Sequence, residues 1–584
     1  MDDDHQDARR PAGPGALDRR RFLAFFSGLG LSGLAATSLP ELLWAQAKKG
    51  AKITRETLAA AEELSGVHFT DAQRDLMLAG VDELRDAYVH LREVALPNDV
   101  PPAFHFDPRP PGFGPAPREP ERAFSASRGP SPERPASLED AAFLPVVELA
   151  RLVQARKVTA VELARMYLAR LRRVDPRLHA VITYTEERAM AEAERADREI
   201  AAGRYRGPLH GIPWGAKDLL AARGYPTTWG SVPFKAQVID EDATVVTRLG
   251  AAGAVLIAKT AVGELAWGDV WFGGTTKNPW KLDQGSSGSS AGSAAATAAG
   301  AVGFALGTET LGSIVSPSTR CGCTGLRPTF GRVSRRGAMA LAWTMDKIGV
   351  LARGVEDCAA VFQAIYGPDG ADATVVDEPF HWDPGRDPKR LRLGYAKALF
   401  AERPEKADAQ WEEQHALDLA VLDSLRGLGY DLQPVELPPL PFEALSSILT
   451  AEAATAFDEL TRSGRVDLLV RQEENAWPNV FRQGRTVPAV EYIRANRVRT
   501  LLVREMATRL QGIDAYVAPT FAGRNLLLTN LTGHPAVVLP NGFRKDGTPG
   551  SITFTGRLFG ESELLAIAKA YQDATGFHRR HPKL

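Results

Sequence analysis

Residues 284–300 read QGSSGSSAGSAAATAAG, and this run limits what the chain can fold into more than any other. Such composition is usual in flexible linkers, yet a linker has no reason to feed directly into structure. Its second half, 293–300, is a helix-competent alanine run, and the AVGFALGTET that follows is a short apolar segment ending in a glycine turn, the pattern of a buried strand. The glycines and serines are therefore expected to form a tight loop at a helix N-terminus, where free backbone amides and the positive end of the helix dipole gather. That location suits anionic intermediates. A second small-residue loop, GTETLGSIVSPS at 307–318, places Ser313 after Gly312, where a backbone amide can approach a reacting carbonyl.

A chain of 584 residues with 44% hydrophobic and 24% charged content can bury a large core. Its 70 basic and 71 acidic residues leave a net charge of -1, so no global field recruits nucleic acid or an anionic membrane. The expected partner is a small molecule. Three cysteines, two of them in RCGCTG as Cys321 and Cys323, give neither a disulfide framework nor a repeated zinc-ligand pair, and read as buried or incidental thiols. His578 and His581 in the terminal HRRHPKL read as a solvated tail rather than a metal site. Neither a metal nor a cofactor is expected.

Near the start, Arg19, Arg20 and Arg21 lead through Phe22, Leu23 and a moderately apolar stretch to an A-x-A site at Ala45-Gln46-Ala47. The segment resembles a bacterial twin-arginine export signal, which implies a signal peptide over 1–47 and a periplasmic or secreted mature protein. Gly28, Gly30 and Gly33 have the spacing G-x-G-x-x-G, but charged residues rather than a strand precede them, so a dinucleotide site is rejected. No other stretch approaches the roughly eighteen apolar residues of a spanning helix, and no stable membrane insertion is expected. Residues 48–137 read as a helical arm followed by a proline-rich segment. Two helices fall within 53–95, the first ending at Gly66 and the second opening at a Thr70 or Asp71 cap. From Pro97 to Pro135 too many backbone donors are missing for a packed element, leaving an extended strap or linker. From Leu138 onward helices alternate with apolar runs such as GAVLIAK, RLRLGYA and IDAYVAP, the pattern of an α/β domain over 138–584.

Over GSSGSSAGSAAATAAGAVGFALGTETLGSIVSPSTRCGCTGLRPTFGRVSRRG the chain resembles the amidase signature family of serine hydrolases. GPLHGIPWGAKDLL and PTTWGS upstream, and TMDKIGVLAR and GHPAVVLPNGFRKDGTPGSITF downstream, follow in family order, so the resemblance spans about Leu138 to Thr575. It implies one α/β/α domain around a mixed, mostly parallel sheet, with the helical segments of 380–510 roofing a substrate cleft. It also implies an amidase that cleaves carboxamides through an acyl-enzyme. Ser313 would be the nucleophile, Ser289 a bridging serine held by a cis peptide, and Lys217 the base. The backbone amides of Thr310, Leu311, Gly312 and Ser313 would form the oxyanion hole. The chain departs from the family pattern there: Leu311 stands where the family usually has glycine, Glu309 where it has aspartate, and Val315 where an arginine is frequent. A positive φ at 311 would strain a leucine, and its side chain would narrow the acyl pocket.

The same three residues make chemical sense together. A serine hydroxyl is a poor nucleophile until a base takes its proton, and a lysine serves as that base at neutral pH only when burial or neighbouring charge lowers its pKa. A bridging hydroxyl both donates and accepts. Taken singly, Lys217-Asp218 would be a surface ion pair, Ser289 a helix cap and Ser313 a turn residue; joint order and spacing reverse that reading. Gly288-Ser289-Ser290-Ala291-Gly292 also fits a G-x-S-x-G elbow with Ser290 as nucleophile and one of eleven histidines as base, but the elbow must follow a buried strand and TTKNPWKLDQGSS is polar and proline-broken. An amidotransferase subunit passing ammonia to a transfer-RNA-charging complex is the other alternative. An export signal and the lack of a basic patch argue against it.

Overall fold

The computed structural model describes residues 52–91, 97–98, 100, 104–110, 113, 124–130 and 132–584. The expected export signal and the rejected G-x-G-x-x-G lie outside the described residues. The chain divides into two compact units, Met1–Leu96 and Pro97–Leu584.

In the first unit, helix α1 (Arg55–Ser65) is capped by the Thr54 side chain and stopped by Gly66 at φ 66°. Helix α2 (Asp71–Leu91) opens on a reciprocal cap in which Thr70 N–H donates to Gln73 Oε1 (2.7 Å) and Gln73 N–H to Thr70 Oγ1 (3.3 Å). Arg74 donates twice to Glu62, at 2.9 Å each, and so ties α2 to α1.

The second unit is built on an eleven-stranded sheet. Its strands are β1 (Val181–Tyr184), β2 (Pro213–Lys217), β3 (Val255–Thr260), β4 (Phe304–Glu309), β5 (Thr324–Arg327), β6 (Lys347–Ala352), β7 (Leu393–Tyr395), β8 (Gln433–Pro434), β9 (Ala515–Pro519), β10 (Ala536–Phe543) and β11 (Pro549–Gly556). In space they run β1-β3-β2-β4-β6-β5-β10-β11-β9-β7-β8. The sheet is mixed, and helices flank it, among them α3 (Ala160–Leu178) against β2 and β3 and α6 (Val355–Ile365) against β5 and β6, as an α/β domain requires. Parallel pairing is confined to β3-β2-β4 and β9-β7-β8. The other six of the ten pairings are antiparallel, more than a mostly parallel sheet would have. Short connections explain this in part: β10 and β11 are a hairpin around the turn at Gly547, whose φ is 82°.

The 380–510 region is helical for most of its length, with helices α7 (Ala409–Gly427), α8 (Ser446–Ala456) and α9 (Ala489–Arg509), yet it also supplies β7 and the edge strand β8. Described residues of the proline-dense segment pack within this unit. Asn98 exchanges hydrogen bonds with both backbone groups of Ala340 (2.9 and 2.6 Å), and the Phe106 ring lies 3.5 Å from the Arg499 guanidinium. The C-terminal tail is exposed at Arg579, Arg580 and His581, as expected, and still makes ring contacts. His581 stacks on Phe143 at 3.9 Å, and Arg580 lies over Phe543.

The small-residue run becomes the loop and helix expected of it. Helix α4 (Ala291–Ala298) is buried along its whole length and packs on β2, β3, β4 and β6. This is possible because it has almost no side chains to accommodate. At Gly292 an added Cβ would lie 2.2 Å from the Ala180 carbonyl oxygen and 2.3 Å from the Ala261 nitrogen, both rigid backbone atoms. Gly292→Ala should therefore lower stability by about 1–3 kcal/mol. The chemical-denaturation midpoint measures it, and an unchanged midpoint would show that this approach is not tight.

Candidate active site

Lys217 is the last residue of β2, every residue of which is buried. Its side chain is fully buried. The Nζ lies within hydrogen-bond distance of Ser289 Oγ (2.8 Å), Thr308 Oγ1 (2.9 Å), Ser290 Oγ (3.1 Å) and the Thr308 carbonyl (3.2 Å). No carboxylate touches it among the described residues. Burial holds its pKa well below the ordinary lysine value, while the more distant charges of Asp346 and Glu309 pull the other way. Asp218 is not its partner: it pairs with buried Lys259 at 2.6 Å and accepts Thr228 N–H at 2.9 Å.

The Gly288-Ser289 peptide is cis. Ser289 is fully buried and is no helix cap; its carbonyl accepts the Gly263 N–H at 3.2 Å. Ser290 is fully buried too. Its hydroxyl donates to the Thr308 carbonyl and accepts the Thr308 N–H, both at 3.2 Å. No histidine contacts it among the described residues, so the elbow arrangement lacks its base.

Ser313 sits in the turn between β4 and helix α5 (Val315–Cys321), and is 8% exposed. The structure joins it to the serine pair through the backbone, since Ser290 N–H donates to the Ser313 carbonyl at 3.1 Å. No hydrogen bond links the Ser313 and Ser289 hydroxyls among the described residues. Gly312 takes the left-handed conformation, φ 86°, while Leu311 does not, so the strain expected at Leu311 is absent. Its side chain stands at the surface instead, 36% exposed. The N–H groups of Leu311, Gly312 and Ser313 donate to no protein acceptor among the described residues.

Glu309 at the end of β4 fixes this turn. One carboxylate oxygen accepts the N–H groups of Ile314 (2.8 Å), the N-cap of α5, and Val315 (2.9 Å), its first residue; the other accepts Arg327 Nη1 (2.7 Å) and Asn530 Nδ2 (2.8 Å). Burial alone would raise its pKa, but the Arg327 charge and these hydrogen bonds hold it at about 2. Thr310, the next residue, donates its hydroxyl to Asp346 at 2.6 Å, and Asp346 also accepts the N–H groups of Leu341 (2.8 Å) and Ala342 (3.0 Å).

A family model for amidases matches residues 162–529, more than half the chain. The chain belongs to the amidase signature family. It is an amide-bond hydrolase by class, and serine chemistry is typical of that family. An amidase of Pseudomonas putida is 34% identical over 476 residues, covering 76% of this chain and 98% of its own. A glutamyl-tRNA(Gln) amidotransferase component of Geobacter metallireducens is 35% identical over 481 residues, covering 74% of this chain and 98% of its own. Among solved structures, the native peptide amidase from Stenotrophomonas maltophilia superposes with a TM-score of 0.67 at 30% identity, covering 76% of this chain and 99% of its own.

Sequence reasoning missed four residues of this amidase's site: Thr308, Arg327, Asn530 and Asp346. Thr308, Arg327 and Asp346 lie inside blocks already singled out, GTET, GLRP and TMDKIG, whereas Asn530 arrives from helix α10 (Asn525–Leu531) with no motif to mark it. Arg327→Met should leave the Glu309 carboxylate buried without its cation and cost about 3–5 kcal/mol. Because Glu309 titrates below a free glutamate, its contribution is complete above pH ~4.3 and lost as pH falls toward 2. Denaturation as a function of pH checks both points, and an acid-side stability curve unchanged by the substitution would contradict them.

Proposed function

We propose that this amidase hydrolyses non-peptide carboxamide C–N bonds through an acyl-enzyme on Ser313, with Lys217 as base and Ser289 as proton relay. The single observation that carries the reading is the Lys217–Ser289 hydrogen bond of 2.8 Å in a fully buried setting. A depressed lysine pKa leaves a neutral amine able to take a proton. Ser289 hands Lys217 its hydroxyl proton while taking that of Ser313, whose oxygen attacks the amide carbon. The unpartnered amides at 311–313, with that of Thr310, face the oxygen that gains the charge. The proton then returns along the same path to the leaving nitrogen as the C–N bond breaks. Water repeats the sequence against the acyl-enzyme and frees the acid.

The relatives support the class and leave a second reading, because a chain named for an amidotransferase is as similar as one named amidase. The single-chain amidase is favoured by a net charge of -1, which offers no general attraction to transfer RNA. Purified protein should release amine or ammonia from simple amides unaided. Turnover appearing only with a transfer-RNA-bound partner would select the amidotransferase.

Peptide mapping after fluorophosphonate treatment should place the label on Ser313, and Ser313→Ala should abolish it. Lys217→Ala should slow acylation by roughly a hundredfold to ten-thousandfold. The acylation rate should fall on the acid side as Lys217 gains its proton. Only Asp346 and Glu309 raise its pKa, so Asp346→Asn, which removes one negative charge, should move that limb to lower pH. A limb that stays in place, or a label on Ser290, would refute the assignment.

We further infer that the chain is exported through a twin-arginine pathway. The reading rests on Arg19–Arg21, Phe22–Leu23 and Ala45-Gln46-Ala47. The mature product should begin at or near Lys48, and N-terminal sequencing of an intact cytoplasmic product starting at residue 1 would dismiss it.

A further inference from the structure

A cavity of about 250 Å³ adjoins the site and shares Thr308 and Thr310 with it. Thr308 is also a partner of the Lys217 amine, so the cavity lies one residue's width from the proposed base. Leu219, Met339, Leu341, Trp343 and Ile348 form much of its wall. It exceeds the roughly 150 Å³ of a dry apolar cavity that takes benzene. Resting on the amidase reading above, we propose that this cavity is a specificity pocket for an uncharged apolar group, of the size of one aromatic ring, flanking the scissile amide.

The charged residues of the wall spend their atoms on the protein. Arg335 pairs with Asp372 at 3.0 Å and donates to the Trp343 carbonyl at 2.6 Å. Asp346 holds Thr310 and two backbone amides. Arg336 is mostly exposed and reaches Glu241 at 3.3 Å. Lys347 is buried and donates to the Met345 carbonyl. Burial, and the charge of Arg327 beside it, hold its pKa well below the ordinary value, which favours the neutral amine. An ionic substrate group entering here would give up its water and meet no unspent counter-charge, a cost an apolar group does not incur. Leu311, which is exposed, and the half-buried Leu526, whose Cδ2 stands 3.1 Å from where a Cβ on Gly312 would be, set two more apolar side chains beside the nucleophile turn.

The experiment compares Ser313 labelling rates for fluorophosphonates carrying a benzyl tail or a carboxylated tail of similar length, on the full chain and on Met339→Lys and Met339→Ala. The benzyl probe should label the unmodified protein at least tenfold faster. Met339→Lys should narrow or invert that ratio, and Met339→Ala, which enlarges the pocket without charging it, should keep the preference for the neutral tail. Faster or equal labelling by the carboxylated probe would make Lys347 a counter-ion and overturn the proposal, as would a ratio that Met339→Lys does not move. Absence of any label on Ser313 would overturn the catalytic reading beneath it, and this inference with it.

Discussion

An amine buried at the end of a central strand, with no carboxylate in contact, is the constraint around which this site is arranged. Removing a charged ammonium from water is expensive, and a lysine so placed relieves the cost by shedding its proton. What remains must still hydrogen-bond, and Lys217 finds its acceptors on Ser289, Ser290 and Thr308, which come from two other segments. Those segments reach it only because α4 lies directly on backbone at Gly292. The glycine- and alanine-rich run is thus the means by which a hydroxyl-lined, water-poor pocket forms around one nitrogen.

Ninety-two residues further on, Glu309 meets burial in the opposite way. It keeps its charge, because Arg327, Asn530 and two helix amides surround both oxygens. One group is pushed toward neutrality and the other locked as an ion. Environments that drive titratable groups apart in this manner set up acid–base work. The locked carboxylate also orders the start of α5, the turn that carries Ser313, so the proposed nucleophile is positioned by an ion pair and the proposed base by the lack of one.

How much of this the sequence disclosed depended on whether a feature was local. The two N-terminal helices, with the Thr70 cap and the Gly66 stop, follow from residues three or four apart. The blocks holding Lys217, Ser289 and Ser313 were legible because their order along the chain is itself specific. Strand direction was not: β10 pairs antiparallel with β5 through a contact between segments far apart in sequence, and alternating helices and apolar runs read as more parallel than they are. Burial of Lys217 could be argued from LHGIP, but its partnership with Thr308 could not, since nothing within either segment refers to the other. The conformation at 311–312 went the other way from the expectation because Gly312 took the positive φ and spared Leu311.

The helices of the 380–510 region, which carry none of the motif blocks, reach the proposed oxyanion turn in few steps. Glu452 on α8 accepts Thr344 N–H (3.0 Å) and Oγ1–H (2.7 Å), and Arg499 on α9 donates to the Thr344 hydroxyl and carbonyl at 2.8 Å each. Two residues on, Asp346 holds the Thr310 hydroxyl. A change in α8 or α9 therefore acts on the loop that both walls the cavity and braces the turn before Ser313, without touching the lysine or the serines.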